Sequence, residues 1–530
     1  MSKKRTTIKR ITKQSFIGGT LILVAAGILN RLLGFVPRIL LPRIIGAEGV
    51  GLYQLGYPFM LMMMTVITGG IPLAVAKLVA EAESAGNEGK VRKVMKVSLI
   101  LSISLGLLFT GICYLGADWI TSHLLTDKRV FTTFQVMSPI ILIVSVSAVY
   151  RGYFQGRRNM IPTALSQTFE TLVRIAGMLL LSWLMLPYGL EYAAAGAMLG
   201  VLAGELGGML VMLLMYAWTR KDYLLYEKAV IGKNPQHMGG IAALKQMVRI
   251  AVPVTASRLV GSASYLFESI LTAQSLARAG IATAIATAQY GALQGMVIPI
   301  LLLPSALTFS LSVSLVPSLS EAAARGDMRT IHMRLHQSLR LALVTGAPFA
   351  VMMYILADPL CQFLYGQTEI GVMLKMMAPI ALFIYFQAPL QAALQALDRP
   401  GTALVNTTVG TTAKLALILL LASNPRMGIL GAVMAINLNT VLVTLMHYRS
   451  VSKLLRFSMK SSEFLRTGAA MALMGLTCWA VYGMDFISSG LLRFFLATAA
   501  GFTIYLAAAV MLKLVDKSDF GRLPFFRNKQ

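Results

Sequence analysis

Apolar residues in this chain come in long blocks rather than in alternation. Fourteen blocks of about 20 residues or more are long enough to cross a bilayer as helices. They lie at roughly 16–45, 50–80, 94–115, 130–154, 160–186, 191–218, 246–276, 286–318, 336–357, 373–397, 401–422, 428–448, 464–484 and 490–514. The polar-in, apolar-out alternation of a membrane barrel is absent. The pattern therefore predicts an all-α polytopic membrane protein with 14 transmembrane helices. The first block follows a basic stretch, KKRTTIKRITK, with no small-residue cleavage site after a short apolar core. It reads as an uncleaved anchor.

The blocks repeat at a spacing of about 240 residues. Pro139 of MSPIILI matches Pro379 of MAPIALF, Gln155 matches Gln395, Glu81 matches Glu321, and Gln54 matches Gln294. Arg174 falls on Lys414 and Arg38 on Arg278. Several matches at one offset predict two six-helix lobes, segments 1–6 and 7–12, with segments 13 and 14 appended. The expected divisions are 1–240, 241–460 and 461–530. Six spans separate the two lobe starts, so both lobes enter from the same side. They should be related by a pseudo-two-fold axis along the membrane normal, an arrangement found in transporters. Broken helices are expected where Gly and Pro cluster: Gly34, Pro37 and Pro42 in segment 1, Gly69, Gly70 and Pro72 in segment 2, Pro253 in segment 7, and Pro299 and Pro304 in segment 8.

Composition agrees: 57% of the 530 residues are hydrophobic and 13% charged. The net charge of +26 is first a topology signal. Thirty-four of the 47 Lys and Arg fall at the two termini and in the loops after even-numbered segments, and seven fall on the opposite side. The excess of basic residues in cytoplasmic loops then predicts that both termini are cytoplasmic. Nucleic-acid binding is excluded, because the charge is spread over short loops with no soluble domain to present it.

Six cations remain within spans: Arg31, Arg38, Lys77, Arg174, Arg258 and Lys414. A charge at bilayer depth costs from about 2.5 kcal/mol upward, so such residues usually face a cavity or a partner. Arg31 and Arg38 are seven residues apart, on one face of a helix. Either they snorkel or pair with a buried carboxylate, or they line a cavity for an anionic guest. Phosphate and pyrophosphate suit guanidinium forks. Arg31, Arg38, Arg258 and Lys414 are the candidate ligands of that guest. Glu170, Glu205 and Glu268 are the acids within spans, and Glu170 can pair with Arg174 one turn away. These four are candidates for ion coupling or structural charge.

Other chemistry is sparse. Cys113, Cys361 and Cys478 show no metal or disulfide spacing. His332 and His336 lie in a basic stretch that reads as an interfacial helix. No GxxxxGK[ST] phosphate loop is present. No cofactor and no metal are expected, and no enzymatic activity.

The stretches FIGGTLILVAAGILNRLLGFVPRILLPRIIGAEGVGLYQLGYP, IPLAVAKLVAEAESAGN and YRGYFQGRRNMIPTALSQTFETLVRI resemble the polysaccharide-transporter branch of the multidrug/oligosaccharidyl-lipid/polysaccharide exporter superfamily. The resemblance covers most of the chain and is strongest through segments 1–6. It implies a multi-pass flippase of the bacterial inner membrane for an undecaprenyl-pyrophosphate-linked saccharide, with a role in spore-cortex peptidoglycan assembly. It also implies membrane lipids and cell-wall polymerases as partners. Arginines of the first helix line the central cavity of related lipid II flippases, a role that carries over to Arg31 and Arg38. The charged residues those flippases carry on the eighth helix have no counterpart between Tyr290 and Leu319.

Two other classes compete. A cation-coupled multidrug exporter wants carboxylates in its first helix, whereas this one has two arginines and no acid before Glu48. A membrane enzyme needs His or carboxylate constellations on sizeable outward loops, and the outward loops here are short. Reporter fusions at the two ends test the topology. Both are expected to read cytoplasmic, and an extracellular C-terminus would mean an odd number of spans and break the two-lobe register.

Overall fold

A computed structural model describes residues 16–230, 239–484 and 489–514. The basic stretch before residue 16 and the tail after 514 lie outside the described residues. Among those described, thirteen helical stretches are long and apolar enough to cross a membrane. The first, 25–84, is 60 residues long and leaves helical geometry at Gly46 (φ 67°, ψ 179°), so it contains two spans. Among the described residues this makes fourteen candidate spans, and the chain is an all-helical, multi-pass membrane protein.

It forms two compact units, one reaching Ala277 and including Ile281–Gly295, the other comprising Arg278–Gly280 and the chain from Met296. In the first unit the helices are α1 (Phe16–Leu33), α2 (Phe35–Thr68), α3 (Ile71–Ser84), α4 (Glu88–Leu115), α5 (Val130–Gly156), α6 (Ile161–Met185), α7 (Leu190–Val230), α8 (Gly240–Arg278) and α9 (Thr283–Gly291). A π-helical turn, Ala292–Val297, leads into α10 (Ile298–Leu302). The rest of the second unit is α11 (Ser305–Ala324), α12 (Met328–Ile355), α13 (Ala357–Tyr365), α14 (Gly371–Met377), α15 (Ala381–Ala396), α16 (Pro400–Leu421), α17 (Ile429–Leu455), α18 (Ser461–Tyr482) and α19 (Gly490–Met511).

The 240-residue repeat recurs in the backbone. Asn87 caps α4 by accepting from the Lys90 N–H at 2.8 Å, and Asp327 caps α12 by accepting from the Thr330 N–H at 3.0 Å. Each cap satisfies one of the orphan donors that open a helix. The two capped helices are each 28 residues long. The helices before them, α3 and α11, end at Ser84 and Ala324, again 240 apart. After α5 and α15, Arg158 and Asp398 take the same left-handed turn, φ 56° and 57°.

The expected helix breaks are partly realised. α1 stops at Leu33 because Pro37 lacks the N–H that would bond the Leu33 carbonyl. Gly34 still donates to Asn30 O at 2.9 Å, so the chain keeps its helical course into α2. A second break falls at Gly69–Gly70, and a third at Leu303–Pro304. Segment 7 differs: α8 runs unbroken through Pro253. A membrane helix can absorb one missing donor by local adjustment.

The most extensive packing in the first unit is between α6 and α7. Gly196, Gly200, Gly204 and Gly208 lie on one stripe of α7, four residues apart. A Cβ on Gly200 would come within 2.1 Å of Met178 N, and one on Gly196 within 2.6 Å of Leu181 O. A Cβ on Gly204 would meet the Arg174 side chain at 2.6 Å, and one on Gly208 the Glu170 Cβ at 3.0 Å. Small-residue stripes let membrane helices touch along their backbones, and this one sets Glu205 of α7 beside Glu170 and Arg174 of α6. Gly200→Ala should lower stability in detergent by about 1–3 kcal/mol, the usual cost of overpacking. Gly111→Ala, with no heavy atom within 4 Å of the added Cβ, should leave the melting temperature unchanged or slightly raised. Thermal unfolding of the two variants checks both.

Candidate functional site

The charges within the first unit converge on Glu170, which is 7% exposed. Arg174 Nη1, one turn along α6, donates to Glu170 Oε1 at 3.1 Å. Arg151 Nη2, from α5, donates to Glu170 Oε2 at 3.1 Å. One buried carboxylate thus takes two guanidiniums. The sequence reading counted Arg151 among cytoplasmic cations, because it stands near the end of its apolar block. The only signal for it was Glu170 itself, whose second oxygen Arg174 leaves open. Glu205 on α7 is 9% exposed, next to Glu170, and its Oε2 has no hydrogen-bond partner.

α2 adds two tyrosines that sequence reasoning did not single out. Tyr53 and Tyr57, one turn apart, stack with ring centroids 6.2 Å apart and planes at 25°. Both hydroxyls lie within electrostatic reach of Arg174 and Arg38. Arg38 also holds its guanidinium over the Phe35 ring, 5.8 Å from the centroid. Arg38 is exposed in the first turn of α2, and Arg31 is exposed in the last turn of α1. They stand on either side of the Gly34 break rather than on one uninterrupted helix.

A second polar group surrounds Glu268 on α8, which is 7% exposed. Its Oε1 accepts from Gln294 Nε2 at 2.8 Å. Gln294 lies in the π-helical turn, a local widening frequent at functional positions. Tyr265 neighbours Glu268 and Tyr290 and also Tyr53 and Tyr57. The tyrosines therefore link the Glu170 and Glu268 groups inside the first unit. Arg258, ten residues before Glu268, is exposed on α8.

In the second unit, Lys414 is 7% exposed on α16. The counterpart of Glu170 is Gly410, where a Cβ would come within 2.2 Å of Val443 Cγ2 and 2.7 Å of Asn439 Oδ1. No carboxylate fits there, so the two halves of the repeat differ at this place for a packing reason. On the same helix Asn406 Nδ2 donates to Ser450 Oγ at 3.1 Å. His332 and His336, on α12, are engaged by Leu455 O at 2.7 Å and by Glu463 Oε1 at 3.0 Å. These contacts tie α12 to the end of α17 and the start of α18.

At the other end of the first unit, Asp127 is 3% exposed and accepts from Arg129 Nη2 at 2.9 Å, Arg129 Nε at 3.1 Å and Thr287 Oγ1 at 2.8 Å. Arg129 Nη1 also reaches Glu48 Oε1 at 2.6 Å. The bonds to Asp127, followed by those to Glu48, hold the Arg129 guanidinium above its ordinary value against its partial desolvation. This group joins α2, the start of α5 and α9. The sequence showed Glu48 and Asp127 only as scattered outward acids.

The profile of the family described as polysaccharide biosynthesis protein matches residues 16–323. Stage V sporulation protein B of Bacillus subtilis (strain 168) is 39% identical over 515 residues, covering 97% of this chain and 98% of that protein. The chain belongs to the polysaccharide biosynthesis protein family. Within reach of it, the protein named lipid II flippase MurJ of the same strain is 28% identical over 418 residues, 75% of this chain and 76% of that one. A solved structure described as lipid II flippase MurJ, inward closed conformation, shares the fold with a TM-score of 0.70 and 16% identity, covering 93% of this chain and 99% of that chain.

Because Arg151 also holds Glu170, removing Arg174 does not strand the carboxylate. Glu170→Gln should therefore cost more than Arg151→Gln or Arg174→Gln alone. Each charged hydrogen bond is worth roughly 1.5–3 kcal/mol. Thermal unfolding of the three variants in detergent checks the order, and equal losses for Glu170→Gln and Arg174→Gln would mean that Arg151 carries nothing.

Proposed function

We propose that this protein is a flippase that moves an undecaprenyl-pyrophosphate-linked saccharide, a peptidoglycan precursor or related polysaccharide unit, across the bacterial inner membrane, in the service of spore-cortex synthesis. Two relatives support this reading by name, one a sporulation protein and one a lipid II flippase. The observation that carries it is the pair of guanidiniums in the first unit's polar interior. Arg151 and Arg174 stand there, both engaging Glu170, and the exposed Arg38 lies within electrostatic reach of the same tyrosines as Arg174. Such a surface suits an anionic head group. A cation-coupled drug exporter, the other reading, would need its carboxylates free for a cationic guest.

In this account Arg31, Arg38, Arg258 and Lys414 meet the pyrophosphate as the carrier passes. Glu170, Arg174, Glu205 and Glu268 hold the framework or couple it to an ion. The divisions 1–240, 241–460 and 461–530 serve as two rocking lobes and an accessory pair of helices, and alternating access exposes the guest to each side in turn. Both termini lie in the cytoplasm, and cell-wall polymerases receive the cargo outside.

Flipping of a fluorescent lipid-linked saccharide in proteoliposomes tests the reading. The wild-type protein should move it, and a sugar on an uncharged polyprenol should stay where it was placed. Arg31→Ala combined with Arg38→Ala should reduce flipping at least tenfold without lowering abundance. The corresponding lysine changes should rescue only partly, because an ammonium lacks the planar fork. Full activity in the double alanine variant would remove the anionic-site reading.

A further inference from the structure

The Glu170–Glu205 pair has a feature that neither residue would have alone. Glu205 of α7 neighbours Glu170 of α6, where Gly204 and Gly208 pack against Arg174 and Glu170, and both carboxyl side chains are at least nine-tenths buried. Glu205 stands fifteen residues into α7, about 22 Å along the helix and so near the middle of a bilayer. The charged and titratable groups that face it are Glu170 and Arg174 from α6, Arg151 from α5 and Tyr57 from α2. Both guanidiniums are bonded to Glu170, while Glu205 Oε2 is buried without any partner. A buried carboxylate oxygen with no donor bears a desolvation cost that a proton removes. Two adjacent buried carboxylates do not both stay ionised, since like charges at close range favour protonation of one.

We infer that Glu205, with Glu170, forms a proton-binding site whose occupancy is tied to the anionic guest through Arg174. The inference rests on the proposed function for the identity of the guest and, for the proton, on the burial of Glu205 beside Glu170 with one oxygen unpartnered. Arg174 is the shared element: it is about one-third exposed, holds Glu170 and neighbours Tyr53 and Tyr57. When a phosphate-bearing group draws Arg174 toward itself, the carboxyl pair loses part of its counter-charge and gains a negative neighbour. Both changes favour uptake of a proton from water onto a carboxyl oxygen. When the guest departs, Arg174 returns to Glu170 and the proton is held less tightly. The guest then travels with one negative charge compensated, which lowers the cost of carrying it through the bilayer. By linkage, binding of an anion should tighten as pH falls.

Two measurements on the purified protein separate the proton from the guest. Infrared spectra in detergent at neutral pH should show a protonated-carboxyl C=O band that shifts in D2O and vanishes in Glu205→Gln, while Glu268→Gln leaves it in place. No difference band between wild type and Glu205→Gln would overturn the proton site. Calorimetric titration with inorganic pyrophosphate, in two buffers of different ionisation heat, reads the coupling. Uptake of a substantial fraction of a proton per anion in the wild type, lost in Glu205→Gln and in Arg174→Gln, is the expected result. Binding whose heat is independent of the buffer would overturn the coupling. Absence of any binding heat would count against the anionic-guest reading and against the coupling, and the infrared band would still decide the proton site.

Discussion

A carboxylate at bilayer depth that is held by two guanidiniums is the constraint on which the first unit turns. Glu170 cannot lose both partners cheaply, because a lone charge in a low-dielectric interior is far more costly than a paired one. Glu170 therefore fixes how α5 and α6 face each other, through Arg151 and Arg174. The glycine stripe of α7 makes the arrangement possible by bringing a third backbone against that pair. The result is a cluster of two guanidiniums and two carboxyls, beside two stacked tyrosines and an exposed arginine on α2.

Much of the fold was legible in the chain. Block length identified the spans; some edges matched closely, as with segment 11 at 401–422 against Pro400–Leu421, while others missed by a turn or more, as with segment 9 at 336–357 against Met328–Ile355. The repeat was legible because its punctuation is local: a polar cap at residues 87 and 327, and a left-handed residue at 158 and 398. The breaks at Gly34 and Gly69–Gly70 followed from proline and glycine chemistry. Pro253 misled, because a proline changes one hydrogen bond and tertiary packing decides whether the helix bends.

The site was legible only in part, and for a physical reason. Charges inside apolar blocks stand out, so Arg31, Arg38, Glu170, Arg174, Glu205 and Glu268 could be picked from the chain. Residues whose polarity is ordinary for their block could not. Tyr53, Tyr57 and Tyr265 are ordinary aromatics for a span, and Gln294 entered only as a match of the repeat. Arg151, near the end of its block, was not among the six cations counted within spans, although α5 carries it and runs on to Gly156. The group made by Glu48, Asp127, Arg129 and Thr287 joins residues up to 239 positions apart, and no local pattern announces it.

The central claim is that the polar interior of this protein selects a pyrophosphate-bearing lipid. Native mass spectrometry of the purified protein, released from detergent with equal amounts of undecaprenyl pyrophosphate, undecaprenyl monophosphate, undecaprenol and a cationic amphiphile, addresses it directly. The account predicts retention in the order pyrophosphate, monophosphate, alcohol, with the preference collapsing at high salt. Equal retention of the three polyprenyl lipids, or preferential retention of the cationic amphiphile, would contradict it.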